Sequence, residues 1–203
     1  AAVKHRLLRR GVPECALESD EYIGTVRRLS SRKLAVEALR EFRHAGIGGL
    51  CGESVWVESM DAMPNWGDMV LKAPWSSSGK GLLFVIGTPT GTQRGRCRNI
   101  LALQGGLAVE RICRKQHDFA MEYEVSNGRV CFLGLSLFEN SRTGAYTGNL
   151  LMPQADKLRI LGIDKARLME MAALHTDFLT RRIAPHYHGP VGIDMMTTVD
   201  GSI

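Results

Sequence analysis

Nowhere among the 203 residues do two cysteines stand as a CxxC pair. The five cysteines (Cys15, Cys51, Cys97, Cys113 and Cys131) are scattered, several among apolar neighbours. That pattern points to reduced thiols in a cytosolic protein, not to a disulfide framework. No apolar run is as long as a membrane span and no signal peptide is visible, so neither membrane insertion nor secretion is expected. Internal repeats and low-complexity tracts are also lacking, which excludes a repeat array. The charge imbalance is small: +5 suits an anionic ligand and is too mild to mark a nucleic-acid-binding protein. The opening AAVKHRLLRR has no methionine, so the N-terminus is expected not to be the native one.

What remains is ordinary globular material, 44% apolar and 23% charged, enough for one large domain or two small ones. Ser19-Asp20-Glu21 predicts a capped helix through Leu29, and Ser30 or Ser31 caps a second, RKLAVEALREFRHA, ended by Gly46. A strand is expected at 55–57, then an Asn65-Trp66-Gly67 turn. GTPTGTQRGRC reads as a loop, followed by a helix over 96–104 and the strand LAVERI. DFAMEYEV alternates, with Phe119, Met121, Tyr123 and Val125 on one face and Asp118, Ala120, Glu122 and Glu124 on the other. Asn127-Gly128 predicts a hairpin back into RVCFLGLSLFEN. NSRTGAYTGN reads as a loop, 164–183 as the last helix and VGIDMMTTV as the last strand. Met169, Met171, Met195 and Met196 read as core. After Asp200-Gly201 a partner strand would begin at Ser202, so the chain is expected to be a piece of a longer one.

The chemistry concentrates in DMVLKAPWSSSGKGLLFVI at 68–86, two apolar runs around a Ser/Gly segment. Small residues let backbone N–H groups approach an anion, and Lys72 and Lys80 add charge where phosphates would lie. A hairpin with two solvated lysines is the plainer alternative. A Walker loop is excluded, because Pro74 stands five before Gly79 and Gly81 follows Lys80 where a hydroxyl is needed. A kinase glycine loop precedes its strand lysine; here the lysine comes first.

With these elements in order, the chain from about residue 32 onward resembles the ATP-grasp superfamily of carboxylate-amine ligases. The resemblance implies an α+β fold in which two α+β subdomains clamp a nucleotide, truncated at both ends. It implies a preceding-domain tail at 1–30, an N-terminal subdomain at 31–112 and an incomplete C-terminal one at 113–203. Lys33 and Lys72 would reach the phosphates, and Ser76, Ser77, Ser78, Gly79, Lys80 and Gly81 would close over them. Glu110, Arg111 and Cys113 would line the adenine hinge, and Asp118 would take the ribose. Asp194 would hold Mg²⁺. Apart from the resemblance, Arg142 in the polar loop NSRTGAYTGN is a candidate to hold a substrate carboxylate or phosphate, with a solvated loop arginine as the alternative. Gly192 departs from the family, which often has arginine there, and the next metal ligands would lie past Ile203. The implied activity is ATP-dependent and ADP-forming, passing through an acyl phosphate. Its partners would be ATP, a carboxylate and an amine, with no nucleic acid and no membrane. A homodimer is admissible, and the piece itself is expected to be inactive. Two other readings stand beside this one: a catalytically silent nucleotide-binding module, and a basic nucleic-acid-binding protein.

Overall fold

The computed structural model describes residues 2–46, 49–76, 81–141 and 145–203. Capping chemistry sets the helices. After α1 (Ala2–Arg9), Ser19 Oγ accepts the Tyr22 N–H at 3.0 Å to open α2 (Asp20–Leu29), and Ser31 Oγ accepts the Lys33 N–H at 3.3 Å to open α3 (Arg32–His44). The loop expected across GTPTGTQRGRC ends at Thr90, and from Gly91 onward it is the first half of α4 (Gly91–Gln104). There Thr90 and Gln93 form a reciprocal cap, with N–H donors reaching side-chain oxygens at 2.9 and 3.2 Å. The cap offsets much of the cost of Gly91 and Gly95 in a helix, up to about 1 kcal/mol each.

Two antiparallel sheets follow. In the first, β1 (Ser54–Val57), β2 (Met69–Lys72), β3 (Leu82–Val85) and β4 (Leu107–Arg111) lie in the order β1-β4-β2-β3. Val57, Met69, Leu71, Val85, Leu107 and Val109 share one face and pack with Cys97 of α4. The second sheet has the order β7-β6-β5-β8, from β5 (Lys115–Ser126), β6 (Arg129–Asn140), β7 (Tyr146–Asn149) and β8 (Gly189–Thr198). Its hairpin turns through Asn127 and Gly128 at φ 51° and 72°, the pair of positive angles that Asn-Gly supplies.

Phe119, Met121, Tyr123, Val125, Leu135 and Leu137 of this sheet are buried with α6 (Lys165–Arg182) and with Ala38 and Phe42 of α3. Each large side chain of this kind contributes about 1.5–3 kcal/mol through burial. Ion pairs from Arg182 to Glu37 and from Arg181 to Glu41 fasten α3 to α6. Because the strands alternate, the opposite face of each sheet carries the polar residues.

Two further expectations change. The segment after Asn140 is not all loop: β7 pairs with β6, Asn149 opposite Phe138. Met169 is 54% exposed rather than core, because it sits on the solvent side of α6 from the fully buried Met171. The stretch between β7 and α6 carries a helix, α5 (Gln154–Leu161), for which the sequence raised no expectation. Its Gln154 side chain acts as a strand neighbour, accepting the Leu135 N–H at 2.9 Å and donating to the Leu135 carbonyl at 3.1 Å.

Candidate functional site

Only Ile112, Cys113 and Arg114 separate β4 of the first sheet from β5 of the second. On the face of the first sheet away from α4, Val70 lies opposite Glu110 and Lys72 opposite Ala108, so Lys72 and Glu110 are diagonal neighbours. Their side chains meet at 2.5 Å (Nζ to Oε2), and both are about one-quarter exposed. Arg32, in the first turn of α3, reaches the same place. Its Nη1 donates to the Ala73 carbonyl at 2.6 Å and to Ser76 Oγ at 2.5 Å, and its backbone N–H donates to the Pro74 carbonyl at 3.2 Å. Burial lowers the pKa of this guanidinium, while Glu110 and Asp194 act to raise it. Asp194 belongs to β8, so the second sheet faces Arg32 here.

That facing wall is acidic. Ala120 stands opposite Asp194 in the β5–β8 ladder, which makes Asp118 and Glu122 its two diagonal neighbours. Burial raises the Asp194 pKa first and Asp118 adds to it, while Lys72 and Arg32 pull it down. The side chain is nonetheless open to solvent. Water-accessible yet desolvated is the condition of a group on the floor of an open cleft. Among the described residues, no hydrogen bond or ion pair reaches this carboxylate. Burial, and then Asp194, raise the Glu122 pKa; Lys157, whose Nζ donates to the Leu135 carbonyl at 2.6 Å, opposes them. Gly192 clears the space, since a Cβ there would stand 3.0 Å from Glu122 Oε2. Asp118 Oδ2 accepts from Lys115 Nζ at 2.5 Å and from Asn140 Nδ2 at 3.0 Å.

Lys72, Glu110, Asp118 and Asp194 therefore meet at one cleft. Lys33 does not join them: its Nζ lies 3.0 Å from Glu58 Oε1 and 5.5 Å from the centre of the Trp56 ring. The Arg111 side chain turns outward, to Glu53 at 2.5 Å and over Trp66 at 5.0 Å. In the linker, the Cys113 carbonyl accepts the Lys115 N–H at 2.9 Å. Among the described residues the Ile112 N–H and carbonyl and the Cys113 N–H carry no hydrogen bond. Ser76 holds Arg32, and the Gly81 carbonyl accepts the Ala73 N–H at 3.0 Å; a Cβ at Gly81 would collide with the Ser76 side chain. Ser77, Ser78, Gly79, Lys80 and Arg142 lie outside the described residues.

Arg32, Lys157 and Asn140 were not singled out from the sequence. Arg32 precedes Lys33 in an exposed-looking first turn, and only the packing of Ala38 and Phe42 decides which cation faces the cleft. A separate open depression of about 500 Å³, lined by Asn127, Gly128, Pro185 and His186 among others, holds none of these groups. Among the described residues, no three His, Cys, Asp or Glu side chains converge as a complete metal cage.

No protein-family model and no curated protein sequence matches the chain. Solved structures do. The N5-carboxyaminoimidazole synthetase of Staphylococcus aureus, complexed with ADP, superposes with a TM-score of 0.57 at 13% identity, over 86% of this chain and 42% of that one. The biotin carboxylase domain of Hydrogenobacter thermophilus 2-oxoglutarate carboxylase, in complex with MgADP, ADP and bicarbonate, gives 0.61 at 13% identity, over 85% and 38%. The L-amino acid ligase of Bacillus licheniformis gives 0.50 at 12% identity, over 85% and 38%. The chain thus spans less than half the length of each of these enzymes. With its two antiparallel sheets joined by a three-residue linker, it has the ATP-grasp fold.

Proposed function

We propose that the chain carries the nucleotide-binding part of an ATP-dependent, ADP-forming ligase that joins a carboxylate to an amine. The observation supporting this most strongly is the opposition of Arg32 and Lys72 on one wall of the cleft to Asp194 on the other. A triphosphate carries several negative charges, which the ammonium and guanidinium offset in a partly desolvated setting. The free backbone groups of Ile112 and Cys113 suit the polar edge of adenine. Asp118 keeps Oδ1 for a ribose hydroxyl, because its Oδ2 is the oxygen held by Lys115 and Asn140.

Mg²⁺ fits this donor set: among the described residues Asp194 is a carboxylate without a hydrogen-bond or ion-pair partner, with Asp118 or Glu122 beside it, and Mg²⁺ takes one or two carboxylates with phosphate oxygens and water completing its shell. When bound, it would neutralise charge on the transferring phosphoryl group. In the reaction we propose, a substrate carboxylate oxygen attacks the γ-phosphorus, the bond to the β–γ bridging oxygen breaks, and ADP leaves. An amine nitrogen then attacks the acyl carbon, phosphate departs and the nitrogen loses a proton. The chain's residues position the phosphates and balance their charge, with no covalent enzyme intermediate.

Titration calorimetry with MgATP tests the reading. Lys72→Ala loses a charged contact worth about 1.5–3 kcal/mol, a fall in affinity of roughly 10- to 150-fold. An unchanged affinity refutes the role.

A further inference from the structure

The carboxylates of α3 and of the residues flanking β1 are all held by cations. Glu37 and Glu41 meet Arg182 and Arg181 of α6, Glu53 meets Arg111 and Glu58 meets Lys33. The side chains of Arg40, Arg43 and His44, at the C-terminal end of α3, are exposed and have no hydrogen bond or ion pair among the described residues. The C-terminus of a helix carries only about half a negative charge, less than two guanidinium groups supply. Leu39, Arg40, Arg43 and His44 fall at i, i+1, i+4 and i+5, so they form one stripe along the helix. With Ser54 of β1 they line an open depression of about 330 Å³.

Ser54 adds donors to that wall. The Arg111 N–H donates to the Glu53 carbonyl at 3.3 Å, which makes Glu53 and Arg111 a hydrogen-bonded pair of the antiparallel ladder. The next residue, Ser54, therefore turns its N–H away from β4, and β1 is an edge strand. Among the described residues that N–H has no partner. Ser54 Oγ is buried without a hydrogen-bond partner, so a rotation about χ1 costs it no internal bond. Glu110, opposite Ser54, turns its carboxylate to Lys72, two strands away from β1.

We propose that this depression binds the phosphoryl group of a small phosphate monoester. Arg40 and Arg43 take its oxygens as charge-assisted donors, His44 adds a ring N–H, and the Ser54 N–H supplies a backbone donor. Leu39 is the apolar wall for the carbon part of the ligand. Ligand pockets span about 300–1,000 Å³, and one at the small end suits a phosphate on a short carbon chain. The site goes beyond the ligase reading and uses none of its residues.

Amide NMR of the chain, without nucleotide and at constant ionic strength, follows titrations with glycerol 3-phosphate and with glycerol. Saturable shifts of the Ser54 N–H and of the Arg40 and Arg43 Nε–H signals are expected with the phosphate ester and not with glycerol. Arg40→Gln combined with Arg43→Gln is expected to weaken the ester by roughly tenfold or more and to leave MgATP affinity unchanged. Lys72→Ala is expected to keep the ester affinity. No saturable shift by about 10 mM, ten times a Kd of about 1 mM, overturns the proposal. An equal response to glycerol, an equal affinity in the double variant, or shifts confined to Lys72, Ile112 and Cys113 overturn it as well. A Lys72→Ala chain that keeps its MgATP affinity counts against the ligase reading alone, so the two fail separately.

Discussion

His175 makes the fold acid-sensitive at a place remote from the cleft. Its ring is fully buried, lies 4.7 Å from the Phe42 ring, and shares a 2.9 Å hydrogen bond between Nδ1 and the Tyr123 hydroxyl. Nε2 has no partner among the described residues. Burial lowers the His175 pKa from 6.5 to about 4. Between those values the unfolded chain binds a proton that the folded chain refuses, so the contribution is full above pH 6.5 and is lost as pH falls toward 4. At 1.36 kcal/mol per pKa unit the whole loss is about 3 kcal/mol, with roughly 2.5 kcal/mol gone by pH 4.5. That is a large share of a domain stability of about 5–15 kcal/mol. The assay is urea unfolding at pH 7.5, 5.5 and 4.5 for the parent and for His175→Gln, whose neutral amide can still meet the Tyr123 hydroxyl. The parent midpoint is expected to fall by roughly 1 M more than that of the variant over this range. Carboxylate titrations are common to both proteins and cancel in the difference. If parent and variant lose the same stability between pH 7.5 and 4.5, the reasoning fails.

Other positions give independent checks. Gln154→Ala leaves the Leu135 N–H without its side-chain partner, while the Leu135 carbonyl keeps Lys157 Nζ, and is expected to cost about 1–3 kcal/mol in urea unfolding; a cost near zero would show that solvent replaces the amide. Lys33→Ala is expected to change MgATP affinity less than about threefold, because the side chain is committed to the exposed Glu58 pair. A loss matching that of Lys72→Ala would place it at the phosphates. Asp194→Asn relieves repulsion with Asp118 and Glu122, so the ligand-free chain should gain up to about 1 kcal/mol after solvent screening. The Mg²⁺ dependence of nucleotide affinity should disappear with it, and a variant that keeps that dependence would remove Asp194 from the metal site.

Local rules made much of this chain legible. Ser19, Ser31 and Asp164 each cap the helix they precede, because an N-cap acts over three residues and needs nothing distant. Alternation gave the buried face of β5, and Asn127-Gly128 gave its return. The misreadings concern elements whose evidence is long-range or conflicting. Glycines 91 and 95 hid the first half of α4, although the Thr90/Gln93 pair was visible. Nothing local in Tyr146–Asn149 announces a strand, since β7 exists only by pairing with Phe138 and Glu139. At the cleft, Lys72 could be named from its strand-and-loop setting, and Asp118 and Asp194 only through the resemblance to the ATP-grasp family. Arg32 could not be preferred to Lys33, because neighbouring helical residues point about 100° apart and only the packing of α3 against β1, β4 and α6 selects one.

The electrostatics of the cleft bear on which form of the nucleotide it suits. Grouping Asp118, Glu122 and Asp194 around Ala120 works against the stability of the ligand-free chain: burial first, and then the neighbouring carboxylate, raise the pKa values of Glu122 and Asp194. Lys157 lightens the repulsion only at Glu122. On the other wall, Lys72 is already paired with Glu110, so a bare triphosphate would have to draw the lysine from its partner while facing the carboxylates opposite. A divalent ion riding on the phosphates removes that conflict. Its charge answers the carboxylate wall, while the remaining negative charge answers Lys72 and Arg32. On the proposed function, the cleft would match a metal-bound nucleotide better than either component alone, so affinity for ATP and affinity for Mg²⁺ should each rise in the presence of the other.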